Sequence, residues 1–169
     1  MSYNLIKNLT DKNKLSNCLL FFGNEEYFID CSIKYIKCKY IDGSYEDMNY
    51  AEFEKMSSLN DYFEFADTFP FMSDKKLCIL KEAVFLTSAG SLDKKEEEKL
   101  VKIIDENESS ITIFVIKDGK PDSRKKIVKR LKDKKSVFEF NRLTEGELTK
   151  YITDEFKTNG FNISMPDAN

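Results

Sequence analysis

The sequence predicts an α/β fold, a parallel five-stranded sheet with helices on both faces. Two observations predict it. Short apolar runs recur along the chain, and three of them, CLLFF (18–22), LCIL (77–80) and ITIFVI (111–116), lack polar alternation. Unbroken apolar strands are what a parallel sheet covered on both faces requires. The segments between the runs carry apolar residues at helical spacing, and alternating strand and helix implies right-handed βαβ crossovers in a doubly wound sheet.

Taken in order, the strands are expected at 18–22, 38–41 (CKYI), 77–80, 111–116 and 137–140 (VFEF). Helix 25–36 aligns Ile29, Ile33 and Ile36. Helix 50–66 aligns Phe53, Met56, Leu59 and Phe63. Helix 92–106 gathers Leu100, Val101, Ile103 and Ile104 behind a charged first turn. Helix 122–132 follows Pro121, takes Asp122 as N-cap, and buries Ile127, Val128 and Leu131. A last helix, 144–158, opens with a capping box in which Thr144 caps and Glu147 reaches back. It carries Leu148, Ile152 and either Phe156 or Tyr151, and Gly160 is its expected C-cap. A junction at 141–143 separates this helix from the sheet, so a domain at 1–141 and the opening of another at 142–169 are expected, the chain stopping there as a fragment.

Composition narrows the chemistry. Hydrophobic residues at 41% and charged residues at 34% fit a soluble globular protein, and no segment approaches the roughly 20 apolar residues of a membrane span. The N-terminal MSYNLIKNLTDKNKL has no apolar core of a signal peptide, so the cytoplasm is the expected compartment. There is no His, which removes Ser-His-Asp and Cys-His catalysis. Cys18, Cys31, Cys38 and Cys78 form no C-x-x-C pair and read as reduced thiols, not as metal ligands. No cofactor is expected. The net charge of −3 conceals an asymmetry. Residues 117–135 hold ten Lys or Arg against three Asp, whereas 61–110 hold twelve Asp or Glu against seven Lys.

A nucleotide-binding sheet of this kind would carry G-x-x-x-x-G-K-[ST] after its first strand. With Gly23 in the first position, Phe28 replaces the second glycine, Ile29 the lysine and Asp30 the hydroxyl residue. Glu25 and Glu26 bring negative charge to where phosphate would sit, a repulsion of about 4 kcal/mol per contact pair at an effective dielectric of ~20. Glu82 and Asp118 lie near strand ends but form no acidic pair suited to a metal. The motif is degenerate, and an active P-loop ATPase is the main alternative.

Two other stretches stand out. Phe69-Pro70-Phe71-Met72 lies between a predicted helix and the third strand. Pro70 forces a turn, and an apolar tip on a surface loop marks a partner site. The competing reading points Phe69 and Phe71 inward to close the core, and one ring could do each job. The second stretch is the basic run Arg124, Lys125, Lys126, Lys129 and Arg130, which suits DNA phosphates, an acidic partner, or simply a solvated helix face. A plain DNA-binding domain is therefore a further alternative.

Four segments together resemble the clamp-loader delta subunits of bacterial DNA polymerase III. LLFFGNEEYFID resembles their opening strand followed by Gly-x-Glu-x-Tyr. ADTFPFMSDKKLCIL resembles their Leu-Pro-Phe-Phe-Ser-Asp-Arg-Arg segment, KDGKPDSRKKIVKRL their Asp-x-Arg-x-Lys helix, and LTEGELTKYITDEFKTNGFNIS the start of their second domain. The resemblance implies a RecA-like (AAA+) domain at 1–141 that neither binds nor hydrolyses ATP, followed at 142–169 by the start of a helical lid. It implies no catalytic activity of its own, although the holoenzyme is a DNA-directed DNA polymerase. It also implies docking of Phe69, Pro70, Phe71 and Met72 into the beta sliding clamp to help open the ring, and partnership with other loader subunits through regions beyond this chain. Phe69 stands where that family commonly has Leu, and Lys75-Lys76 stand for its two Arg.

Overall fold

The computed structural model describes residues 1–54, 59–117, 119–158, 160 and 161. Of the residues singled out above, Met56, Asp118 and the stretch 162–169 lie outside it. Five strands, β1 (Cys18–Gly23), β2 (Tyr50–Phe53), β3 (Lys76–Leu80), β4 (Ser110–Ile116) and β5 (Val137–Phe140), form one sheet. Its order is β2-β3-β4-β1-β5, and every neighbouring pair is parallel.

The period of two in the strands divides the core in two. Cys18, Leu20, Cys78, Leu80, Phe114 and Ile116 point to one face. There they meet α4 (Asn60–Asp67), α5 (Lys94–Glu106) and α6 (Lys126–Asp133). Leu19, Phe21, Leu77, Ile79, Ile113 and Val115 point to the other, against α1 (Ser2–Asp11) and α2 (Glu26–Tyr40). Because both faces are covered, the central strands need apolar residues at every position, and β3 and β4 are buried throughout.

The second strand differs from expectation. Residues 38–41 are the last turn of α2 and its C-cap Ile41, and the edge strand is Tyr50–Phe53, inside the stretch that reads as helix 50–66. C-K-Y-I suits a helix end as well as a strand, because four residues also make one helical turn. Tyr-Ala-Glu-Phe has no strong strand bias; pairing with β3 decides its state. Among the described residues, the later part of that stretch is helical, as α4.

Helix α6 starts at Lys126 with Lys125 as N-cap, so Asp122 is not its cap. The Asp122 carboxylate accepts from the Arg124 amide (2.9 Å) and closes a separate turn ahead of the helix. Ile127, Val128 and Leu131 are buried as expected. Helix α5 begins with a capping box between Asp93 and Glu96.

The helix α1 has no counterpart in the sequence reading. Its Tyr3 and Ile6 are buried against α2 and β5. Helix α7 (Glu145–Thr158) has its capping box: the Thr144 amide donates to Glu147 (3.0 Å), and the Glu147 amide to Thr144 Oγ1 (3.4 Å). At its C-terminus Gly160 (φ +80°) donates to the Lys157 carbonyl and Phe161 to the Phe156 carbonyl, a Schellman closure with the two rings 6.5 Å apart. Between Phe156 and Tyr151, it is Tyr151 that turns inward, while Leu148 and Phe156 are exposed. No helix among the described residues is long and apolar enough to cross a membrane.

Candidate functional site

Chain crossovers reverse direction at β1 and β4. Beyond the carboxyl ends of such strands an open α/β sheet ordinarily binds its ligand. Here that place is taken by the protein itself. Strand β1 ends at Gly23 and α2 starts at Glu26, so the turn is short. A Cβ built on Gly23 would lie 2.1 Å from the Phe140 carbonyl oxygen, and its φ is +131°. The close passage of β5 therefore requires glycine at this position. The Glu25 amide, one of the donors a phosphate cradle would use, donates instead to the Phe140 carbonyl (3.1 Å).

Phe28 and Ile29, which stand for the second glycine and the lysine, are buried, whereas Asp30 is exposed. Phe28 stacks edge-on against Tyr151 of α7 (4.8 Å between ring centres) and lies 5.7 Å from Tyr3 of α1. Burial and neighbouring negative groups push the Tyr3 hydroxyl up to about 12, so it is neutral. At the end of β3, Glu82 sits in the left-handed region (φ +57°) and Lys81 turns back to Glu52 (2.5 Å) and Glu54 (3.1 Å).

The opposite situation holds in the loop 68–75 between α4 and β3. Phe69 is 85% exposed, Met72 72% and Phe71 48%, and Pro70 is partly covered. Both phenyl rings face outward, so the inward reading does not hold for either. They differ, however. The Phe71 ring leans edge-on against Tyr45 (5.6 Å), and Phe69 has no aromatic neighbour among the described residues.

Polar groups hold the backbone beneath these rings. The buried Asn49 side chain accepts from the Phe71 amide (2.8 Å) and donates to the Phe71 carbonyl (2.8 Å). At the other end, the Lys76 ammonium donates to the Phe65 carbonyl (3.1 Å) and to Thr68 Oγ1, and lies 3.9 Å above the Phe65 ring. It thereby caps the negative C-terminus of α4. Burial lowers its pKa. Ser73 Oγ reaches the Tyr40 carbonyl (3.3 Å), and Met72 adopts φ +50°, a conformation that non-glycine residues take only where surroundings enforce it.

Asn49 and Tyr45 carry no signal in the sequence. Both sit in the segment between α2 and β2, which reads there as featureless. Lys76 is legible only as one of two basic residues before an apolar strand, with no hint that it is buried.

The basic run is largely committed inside the molecule. Arg124 forks onto Asp122 (Nε 3.0 Å, Nη2 2.8 Å) and, by these hydrogen bonds, holds its carboxyl down to about 2. Lys125 donates to the Gly90 carbonyl (2.7 Å), and Arg130 pairs with Asp105 (2.6 Å). Lys126 and Lys129 are exposed and point outward without a polar partner among the described residues. Of the five basic residues, Lys126 and Lys129 are therefore the two without a polar partner among the described residues. All four cysteines are free thiols, and burial pushes Cys18 and Cys78 up to about 12.

Comparison with known proteins gives one direction. The sequence pattern of the family described as "DNA polymerase III, delta subunit" matches residues 19–141. The DNA polymerase III subunit delta of Bacillus subtilis is 29% identical over 156 residues, which cover 87% of this chain and 44% of that protein. Among solved structures, the DNA clamp loader delta protein of Bacillus subtilis superposes with a TM-score of 0.78 at 24% identity, covering 99% of this chain and 50% of that one. A DNA polymerase III gamma subunit-related protein of Thermotoga maritima gives 0.53 at 13% identity, covering 94% and 52%. These likenesses show a shared fold, a five-stranded parallel sheet covered by helices. The chain spans about half the length of the relatives it matches. The match across 19–141 takes in the Gly23 turn, the exposed loop and the basic helix alike, and the chain belongs to the DNA polymerase III delta subunit family.

Proposed function

We propose that the chain is the clamp-binding part of a clamp-loader subunit of the bacterial replicative DNA polymerase III holoenzyme. Residues 1–141 form the clamp-binding domain, and 142–169 open a helical lid. Phe69, Pro70, Phe71 and Met72 insert into an apolar pocket of the beta sliding clamp. The free energy of that insertion favours a clamp conformation with one interface sprung, which lets DNA enter. The domain uses no ATP and catalyses no reaction itself; switching belongs to other loader subunits, which it meets through regions beyond this chain. The work is cytoplasmic.

The observation that carries this reading is the Phe69 ring, 85% exposed on a loop whose backbone is held at both ends. An exposed phenyl ring on a mobile tail would lose ordering entropy on docking; on a held loop it keeps most of its burial energy. Each buried Phe contributes roughly 1.5–3 kcal/mol. The Gly23 turn supports the ATP-independent role, because its amide and its space are used by β5.

The test is binding of the chain to its cognate sliding clamp, measured by surface plasmon resonance. Phe69→Ser together with Phe71→Ser lowers affinity at least about a hundredfold. The melting curve stays in place, since both rings are exposed. Unchanged affinity with an intact fold removes the docking assignment.

A further inference from the structure

We propose that Asn49 is a positioning residue that presets the docking loop by holding the backbone of Phe71; the inference rests on the clamp-docking reading of that loop. Asn49 is fully buried at the C-terminal end of the short helix α3 (Glu46–Asn49), immediately before β2. Its side chain does to Phe71 what a neighbouring strand would do. Oδ1 accepts from the Phe71 amide at 2.8 Å, and Nδ2 donates to the Phe71 carbonyl at 2.8 Å. The second Nδ2 hydrogen goes to the Tyr45 carbonyl (3.2 Å), which ties the same amide to the residue whose ring supports Phe71.

These three bonds need an acceptor and a two-hydrogen donor on one short side chain, and among the amino acids only Asn supplies both at this length. Asp keeps the acceptor but turns a carboxylate oxygen toward two carbonyls. Ala removes every bond. Gln carries the groups one methylene too far.

The consequence is a loop with little freedom left. Lys76 holds the chain at Thr68, and Asn49 holds it at Phe71. Only Phe69 and Pro70 lie between, and the Pro70 ring already fixes its own φ. Met72, directly after the Asn49 contact, is in the left-handed region. Such a conformation persists where surrounding contacts over-determine it. Without the Asn49 bonds, the docking-competent loop becomes a fraction of an ensemble, and apparent affinity falls by that fraction.

Hydrogen exchange and clamp-binding kinetics on the same proteins decide the matter. In the unmodified chain the Phe71 amide, although in an exposed loop, exchanges slowly. In Asn49→Ala and Asn49→Asp, exchange accelerates at 69–73 while the amides of β3 and β4 keep their protection. Clamp association slows about tenfold in both, and dissociation changes less. If Asn49→Ala does not fold, Asn49→Asp, of nearly the same shape, carries the kinetic arm. A fast Phe71 amide in the unmodified chain overturns the proposal, as does unaltered clamp association in a folded variant. The docking reading stands or falls separately, on the loss of binding in the Phe69→Ser, Phe71→Ser double variant.

Discussion

Phe28 and Phe69 are the same residue at two ends of one sheet, and they meet opposite fates. Phe28, after β1, is 4% exposed; Phe69, before β3, is 85% exposed. The difference lies in what the backbone beside each ring is bonded to. At the β1–α2 turn, the strand β5 comes so close that only glycine fits, and aromatic rings from α1 and α7 close over the turn. At the α4–β3 loop, buried polar groups, Asn49 and Lys76, occupy the space beneath the backbone, and the rings are left outside. Apolar packing closes over the turn after β1, and polar pinning holds apolar rings in solvent at the loop before β3.

The sealed end breaks most visibly under charge. Ile29→Lys restores the lysine that a phosphate-binding loop would carry. Ile29 is 3% exposed and packs in the cluster of α1, α2 and the sheet, so the new ammonium is placed among apolar side chains. The variant loses about 4 kcal/mol of stability, seen as a shifted urea midpoint, and Mg·ATP does not restore it. Stabilisation by Mg·ATP would show that the pocket is open after all.

Gly23→Ala tests the same end through shape. The added methyl carbon meets the Phe140 carbonyl oxygen at 2.1 Å in a backbone conformation with φ +131°. A cost of about 3 kcal/mol is expected, again as a lower urea midpoint with an unchanged slope. A neutral substitution would mean that β5 yields easily, and the turn would then have room for a ligand.

How much of this contrast was legible beforehand follows from how local each cause is. β1, β3 and β4 announce themselves, because burial on both faces demands unbroken apolar runs, and β5 shows as a short alternating apolar run. The edge strand β2 does not: it is half covered, four residues long, and chosen by pairing with β3 over its own helical tendency. Helix α1 was hidden because three buried positions, Tyr3, Ile6 and Thr10, are spread through a polar stretch. The apolar tip was visible as Phe-Pro-Phe-Met, but its direction was not. Direction depends on Asn49 and Lys76, whose partners are backbone atoms distant in sequence. The basic run was visible as charge, and the pairing of Arg130 with Asp105 and the hydrogen bond of Lys125 to the Gly90 carbonyl were not, for the same reason.

The smallest expected effect concerns the edge that carries Asn49. β2 follows Asn49 directly, and Glu52 of β2 is tied to Lys81 beyond β3 (2.5 Å). Burial pushes the Glu52 carboxyl upward, but hydrogen bonds from Lys81 and Tyr50 and the Lys81 charge outweigh it and leave its pKa below the ordinary 4.5. The Glu52 hydrogen bond and charge raise Lys81 above its ordinary 10.5, with burial opposing. A depressed carboxyl contributes stability above its unfolded pKa and loses it as pH falls through the lower folded value. A raised ammonium contributes below its unfolded pKa and loses it as pH rises through the higher folded value. The pair therefore stabilises fully between about pH 4.5 and 10.5 and fades outside that window. Because both side chains are partly solvated, the contribution is under about 1 kcal/mol. Glu52→Gln should lower the urea midpoint slightly at pH 7, and the difference should shrink as pH falls below 4.5, so that the two proteins converge in acid. The same substitution should quicken exchange at the Phe71 amide, because loosening β2 loosens the residue that holds the loop. Convergence in acid without any change at Phe71 would show that Asn49 is anchored by α3 alone, and would confine the polar pinning of the loop to its immediate neighbours.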